Sequence, residues 1–239
     1  MRIRLLITTM LMALATAQVR AQGDLLEYRW DVGGGPALVF PITDGTGFMQ
    51  SVGVGLAGVA RRAFNPRMAL RMNLSLLRMS GSTKGTFFPA DAWSGTPEGG
   101  QFASRRWKRN VIDVAAVGEL NFWGYGSGPK YKGNKRVTPY ILLGLGFTMA
   151  MAPAKTNLAL NIPLGAGVKY KVGKRLNLGF EWRFTFTTTD KLEADSKAGL
   201  SLSDPYGIKS SGLKNKDQYS TMTVSLTYDI SPKYRKCNN

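Results

Sequence analysis

The chain has 239 residues, with 32 lysines and arginines against 15 aspartates and glutamates, one cysteine and no histidine. A single cysteine excludes an internal disulfide, and the lack of histidine removes the commonest general base and metal ligand. The excess of cations predicts anionic surroundings or partners, and the length suits one domain.

The first segment of the chain has the features of an export signal. The basic start Met1–Arg4 precedes the apolar stretch Leu5–Ala17, and Ala21 supplies the small residue expected before a cleavage site. The apolar stretch is too short for a transmembrane helix, which needs about 20 residues. We therefore expect residues 1–21 to be a cleaved signal peptide. Cleavage would leave 29 lysines and arginines against 15 acids, a formal charge of +14.

The remaining chain predicts β-strands, because apolar and polar residues alternate in segments separated by turn residues. In the clearest segment, leucines, phenylalanines and a tryptophan form one row, and Asn177, Glu181 and Arg183 lie on the other. Eight segments follow this pattern in chain order: Glu27–Gly35, Val52–Arg62, Met68–Leu76, Ile112–Phe122, Val137–Met149, Ile162–Tyr170, Leu176–Phe186 and Thr221–Ile230.

No later window offers 18 consecutive apolar residues, so a membrane-inserted chain must close its backbone hydrogen bonds as a barrel. The sequence therefore predicts an all-β fold, an eight-stranded antiparallel up-and-down transmembrane β-barrel over residues 22–230. Its interior would be filled by side chains rather than water. A short basic periplasmic tail, residues 231–239, would follow.

The predicted connections alternate between short turns and long loops, as in bacterial outer-membrane barrels. Residues 62–66 and 171–175 form tight turns, which we expect in the periplasm, and stretches 81–109 and 188–217 would face the cell surface. The connection 123–136 is long for a periplasmic turn. It either carries an interaction or is a plain glycine-rich loop.

Charged residues of both signs fall on the predicted inner rows. Paired carboxylates can hydrolyse glycosides, but a mixture of signs favours a structural ion-pair network. No Ser/His or Cys/His couple exists, so we expect no catalytic residue, cofactor or metal. Gly53–Gly58 has the spacing of a dinucleotide-binding loop, but no helical pattern follows it. The predicted network comprises Glu27, Arg29, Asp31, Arg71, Asp113, Glu119, Glu181 and Arg183.

Cations gather at the tight-turn end of the predicted barrel. They have two explanations, contact with inner-leaflet phosphates or docking of an acidic periplasmic protein. The candidate docking residues are Arg61, Arg62, Lys132, Lys135, Arg136, Lys171, Lys174 and Arg175.

Three smaller features complete the sequence reading. A second basic group near the cell-surface side would hold lipopolysaccharide through Arg105, Arg106, Lys108 and Arg109. Cys237 either pairs with another chain or is incidental. The aromatics predicted to form a membrane-interface belt are Phe122, Trp123, Tyr140, Tyr170 and Tyr228.

Several stretches carry a resemblance to a known family: Asn65–Leu74, Thr138–Tyr140, Ile162–Tyr170 running into Lys174–Trp182, and Lys216–Tyr219 before the last strand. Over most of the mature chain the sequence resembles the PorG-type barrels of Bacteroidetes. The resemblance implies an outer-membrane barrel of the type IX secretion system. It also implies association, from the periplasmic side, with the ring of the lipoprotein PorK and its partner PorN.

These observations lead to ranked hypotheses. The first is an outer-membrane component of a protein secretion apparatus, which anchors or assembles the periplasmic lipoprotein ring. The second is a generic small outer-membrane barrel, either a narrow channel or a lipopolysaccharide-binding envelope protein. An enzyme is a distant third. The expected partners are membrane lipid, lipopolysaccharide and the ring proteins, and the export signal argues against nucleic acid.

Overall fold

The computed structural model describes residues 29–43, 46, 48–82, 106–126, 134–151, 156–189, 192 and 216–230. The predicted signal peptide, Glu27, Arg105, Lys132, Cys237 and the tail lie outside these residues. No helix in the described part is long and apolar enough to cross a membrane.

Eight strands form one closed sheet in which each strand pairs antiparallel with the next and the first pairs with the last. The predicted eight-stranded antiparallel up-and-down barrel is therefore confirmed. The strands are β1 (Trp30–Ile42), β2 (Gly53–Ala63), β3 (Met68–Ser82), β4 (Arg106–Asn121), β5 (Val137–Met151), β6 (Asn157–Lys171), β7 (Leu176–Thr187) and β8 (Gln218–Asp229).

Several strands extend beyond their predicted bounds. β3 continues to Ser82, and β4 begins at Arg106 instead of Ile112, because alternation continues through charged residues that hide it in the sequence. β1 begins at Trp30 and runs to Ile42, past a glycine run and two prolines that obscure the pattern.

The two faces of the barrel differ sharply in polarity. Outward side chains are apolar and exposed, and Leu145, Leu56 and Leu158 reach 68%, 64% and 64% exposure. Inward positions of the same strands hold buried asparagines, threonines and ion pairs. An apolar exterior around a polar interior is the pattern of a membrane-spanning barrel.

The register of the pairings tilts the strands around the barrel. A path of directly opposite residues leaves Trp30 and returns to β1 at Phe40, ten residues farther along. The path passes through Arg62, Leu70, Gly118, Leu143, Leu164, Phe184 and Ser220. This stagger brings side chains from distant parts of the chain to one level of the lumen.

The barrel has two unlike ends, which we call the turn end and the loop end. The turn end bears the connections 64–67, 122–136 and 172–175. The loop end bears the connections 43–52, 83–105, 152–156 and 188–217. Because each strand runs antiparallel to the one before it, successive connections lie at opposite ends, and the two longest, 83–105 and 188–217, share the loop end.

The seam between β1 and β8 requires glycine where the two backbones approach closely. A Cβ atom on Gly33 would lie 2.0 Å from the carbonyl oxygen of Leu226 and 2.5 Å from the Cα of Thr227. On Gly35 it would lie 1.9 Å from the carbonyl oxygen of Val224. Backbone atoms cannot move aside as a flexible side chain would, so barrel closure depends on these positions.

We predict that Gly33→Val destabilises the barrel by about 3 kcal/mol or more, because the new side chain overlaps the β8 backbone. The measurement is urea unfolding of the protein in lipid vesicles, followed by tryptophan fluorescence. Gly58→Val is the matched control, since the nearest atom to its Cβ is the carbonyl oxygen of Leu74 at 3.7 Å. Equal unfolding midpoints for both variants would contradict the close approach.

Candidate functional site

The lumen holds equal numbers of buried acids and buried cations. Among the described residues, six of each are less than 10% exposed, and together they leave the interior without net charge. The acids are Asp31, Asp113, Glu119, Glu181, Asp217 and Asp229. The cations are Arg61, Arg71, Arg109, Lys169, Lys171 and Arg183.

Glu119 on β4 is the centre of the network nearest the turn end. Its side chain is fully buried, accepts a hydrogen bond from Lys169, and lies 3.5 Å from Arg71 and 3.6 Å from Arg61. Arg61 also lies 3.5 Å from Asp31. A buried carboxylate is stable only with such partners, so this acid depends on three cations from three other strands.

Arg71 joins this cluster to the middle of the lumen. Its guanidinium donates to Glu181 at 2.5 Å, and the Tyr140 hydroxyl donates to the same carboxylate oxygen at 2.8 Å. Arg71 belongs to β3 and Glu181 to β7, across the barrel. The ion pair therefore fills the lumen from wall to wall.

A third cluster surrounds Asp113 on β4. One carboxylate oxygen accepts from Asn161 at 2.6 Å and from the Tyr219 hydroxyl at 2.7 Å, and the other lies 3.5 Å from Arg183. Arg183 also donates to Ser75 at 3.1 Å. Both oxygens of the carboxylate thus face groups that stabilise its charged form.

Tyr125, which follows β4, lies at the turn end of the lumen. Tyr125 enters the barrel mouth, where its hydroxyl donates to Asn177 at 2.8 Å and its ring centre lies 4.9 Å from the Lys169 Nζ. Lys171 donates to Asp229 at 2.8 Å beside it. Burial raises the pKa of the Tyr125 hydroxyl, so the group stays neutral and keeps donating. Tyr125 therefore occupies part of the lumen mouth at this end.

Apolar side chains fill the lumen at the loop end, which the sequence did not predict. Val39, Leu77, Met79 and Trp107 pack there with at most 2% exposure. Leu192, from the connection 188–217, joins them, and its backbone N–H donates to Asp217 at 2.8 Å. A chain segment outside the strands thus contributes to the plug.

Two small cavities lie between described residues of the lumen. One of about 30 Å³ lies at the turn end between Asp31, Lys171 and Tyr125, and one of about 10 Å³ lies beside Asn73. A single water molecule needs a cavity volume of roughly 10–15 Å³. The spaces suit one or two waters, and neither is an open passage.

The buried carboxylates of the described residues are engaged by neighbouring side chains. The carboxylates of Glu119 and Asp113 contact cations or hydrogen-bond donors. This arrangement differs from the pair of carboxylates that acid/base hydrolysis of a glycoside needs. Within the described residues, no three His, Cys, Asp or Glu side chains could hold a metal ion.

The structure brings most of the predicted lumen residues inside. Asp31, Arg71, Asp113, Glu119, Glu181 and Arg183 all lie in the lumen. Arg29 does not, because it precedes β1 at the turn end and is exposed. The inward Arg61, Lys169, Lys171 and Asp229 were missing from the predicted network. Their odd-numbered positions match the inward rows of their strands, so alternation could have found them.

The predicted docking set needs two corrections. Arg61 and Lys171 are only 5% and 6% exposed, because they face the lumen and pair with Asp31 and Asp229. They are unavailable to a partner protein. Arg175 is half-buried. The exposed members of the set are Arg62, Lys135, Arg136 and Lys174.

Two further predicted positions face the other way. Arg109, expected to hold lipopolysaccharide, is 3% exposed, because it belongs to the inward row of β4, whereas Lys108 is exposed. Tyr140, expected in the aromatic belt, is 3% exposed for the same reason on β5. The other predicted belt residues, Phe122, Trp123, Tyr170 and Tyr228, are exposed.

The exterior of the described barrel carries only positive charge. All six described acids are buried in the lumen, so no exposed carboxylate remains to balance the outer cations. At the turn end, Arg62 lies over the rings of Trp30 and Phe64, and Lys135 lies 4.6 Å from the ring centre of Trp123. Aromatic rings beside cations are typical of the level where lipid headgroups begin.

Comparison with solved structures identifies similar small barrels. Ail, the attachment invasion locus protein of Yersinia pestis in complex with the heparin analogue sucrose octasulfate, is 12% identical with a TM-score of 0.47, over 85% of this chain and 99% of that one. Neisserial surface protein A is 11% identical with a TM-score of 0.47, over 84% and 97%. The outer membrane protein OprG from Pseudomonas aeruginosa is 10% identical with a TM-score of 0.45, over 85% and 96%.

No protein-family model and no curated protein matches the chain in sequence. The likeness to the solved barrels is too distant to transfer any property beyond the general fold.

We predict that Glu119→Ala lowers the free energy of unfolding by about 3–5 kcal/mol, because it leaves three buried cations without their shared counter-charge. Urea unfolding in lipid vesicles measures the loss. The double variant Glu119→Met with Lys169→Met removes one charge of each sign and should recover part of the stability. A Glu119→Ala barrel as stable as the unmodified protein would contradict the central role of this carboxylate.

Proposed function

We propose that the protein is a small bacterial outer-membrane barrel with a closed lumen, which acts as an anchored interaction protein and not as a channel. The observation that carries this proposal is the neutral network of ion pairs that crosses the lumen from wall to wall. Tyr125 and the apolar plug support it at either end.

The outer surface supports the membrane location. The outward rows of the strands are mostly apolar, exposed cations such as Arg62, Arg78 and Lys108 lie near the ends of several of them, and no described acid is exposed. Such a surface suits a lipid interior bounded by phosphate headgroups. The long connections 83–105 and 188–217 then face the cell surface, and the short turns face the periplasm.

The ion pairs in the lumen oppose ion conduction, because separating them costs free energy. A hydrated ion would have to separate ion pairs such as Arg71–Glu181. It would also have to break the hydrogen bonds that Asn161, Tyr219 and Thr148 donate to Asp113. Each separated pair leaves a buried charge without its partner, which costs several kcal/mol. The ion pairs that fill the lumen therefore also form the barrier to ion passage.

We predict that the purified protein in planar lipid bilayers gives no steady conductance above that of the bare membrane at neutral pH. The physical reason is that ion pairs and apolar side chains of the described residues fill the lumen. A general porin reconstituted in the same way serves as the positive control. Reproducible single-channel steps that scale with protein concentration would sink the closed-barrel proposal.

A second candidate function is docking of a periplasmic secretion ring. The exposed cations Arg62, Lys135, Arg136 and Lys174 lie at the turn end, where none of the described residues is an exposed acid, and this surface would attract an acidic partner. The resemblance to PorG-type barrels names the partner as the PorK and PorN ring of the type IX system. In this role the barrel anchors the ring to the outer membrane.

Charge reversal tests this docking. We predict that Lys135→Glu, Arg136→Glu and Lys174→Glu together abolish co-purification of PorK- and PorN-like proteins from solubilised outer membranes, because attraction becomes repulsion. The control exchanges lysine and arginine at the same three positions and should retain the ring. Full ring recovery with the reversed variant, or none with the unmodified protein, would refute this role.

A further inference from the structure

A pair of outward cations lies on β3 and β4 at the loop end. Arg78 is directly opposite Asn110, and Ser80 is directly opposite Lys108. Arg78 and Lys108 are therefore diagonal neighbours, with their Cα atoms roughly 7–8 Å apart. All of Arg78, Lys108 and Asn110 are exposed, so three hydrogen-bond donors share one outer patch.

Nothing in the described part of the chain neutralises this patch. Its six acids are all buried in the lumen, on the other side of the barrel wall. Within the described residues, neither Arg78 nor Lys108 has an ion pair or hydrogen bond through its side chain. Two neighbouring cations repel each other, so this arrangement favours an anion that binds both.

The position of the patch along the barrel fits the headgroup level of a membrane. On β3, the outward row Met68, Leu70, Met72, Leu74 and Leu76 is apolar, with cationic Arg67 before it and Arg78 after it. Eleven residues of strand tilted by about 40° rise roughly 28 Å. An outer-membrane barrel has an apolar band about 25 Å tall, so Arg78 falls at its upper edge.

Apolar side chains lie beside and below the cations. Val54 is directly opposite Arg78 and is 61% exposed, and Leu76 is 50% exposed on the same strand as Arg78. A ligand that fits this surface has an anionic group above and acyl chains below. Amphipathic lipids have this chemistry, and a free inorganic anion does not.

We propose that Arg78, Lys108 and Asn110 bind a phosphate group of lipid A, the glycolipid anchor of lipopolysaccharide. This step rests on the proposed function, since the loop end faces the outer leaflet only in an outer-membrane barrel. The arginine guanidinium offers paired N–H donors to phosphate oxygens, and the lysine adds a point charge. Asn110 contributes a neutral donor between them.

Native mass spectrometry of the detergent-purified protein tests the site. The probes are diphosphorylated lipid A, its dephosphorylated form and phosphatidylglycerol. The unmodified protein should retain diphosphorylated lipid A in preference to the other two. The double variant Arg78→Glu with Lys108→Glu should lose this retention by about tenfold or more.

The matched control is Arg29→Glu with Arg67→Glu, which makes the same change of charge at exposed positions of the turn end. It should retain lipid A as the unmodified protein does. Equal loss in the control would mean that net charge alone governs binding, and equal retention of phosphatidylglycerol would mean a general anionic surface. Either result overturns the site.

Heat-dependent mobility in gel electrophoresis reports whether each variant is folded. If the glutamate variant does not fold, Arg78→Gln with Lys108→Gln replaces it, and full retention by that variant also overturns the proposal. A folded, non-conducting barrel without a lipid A preference contradicts only this site. Conductance by the unmodified protein contradicts the closed-barrel function itself.

Discussion

The ion pairs around Glu119 are the interaction on which the rest of the barrel depends. A closed eight-stranded barrel in lipid turns its polar residues inward, and its lumen is too narrow for bulk water to solvate them. Lys169, Arg61 and Arg71 must therefore balance the carboxylate at close range. The side chains that balance these charges also fill the interior, so the lumen is closed by its own ion pairs.

The same constraint separates the two charge populations of the molecule. Inside, six acids and six cations cancel. Outside, the described surface keeps only cations, which gather at both limits of the apolar band. Among the described residues, the excess of positive charge therefore lies on the exterior. This positively charged exterior can contact phosphate headgroups at both ends of the barrel. At the turn end the same surface can also contact an acidic protein.

Alternation predicted most of the barrel because a strand exposes its two rows to opposite surroundings. The β7 segment Leu176–Phe186 was found with its correct faces, and so were the inward Asp113 and Glu181. The prediction failed where the pattern is weak. At the start of β4, charges on both rows hid Trp107 and Arg109, and in β1 the glycines and prolines hid the true end at Ile42.

The sequence by itself determined the number of strands, their antiparallel order and the face of most side chains, since these follow from local alternation and connection length. Only the tertiary structure decided which inward residues meet. The partners Arg71 and Glu181 are 110 positions apart, and the ten-residue stagger of the closed sheet sets their common level. Likewise, the register between β3 and β4 brought the outward residues Arg78 and Lys108 next to each other.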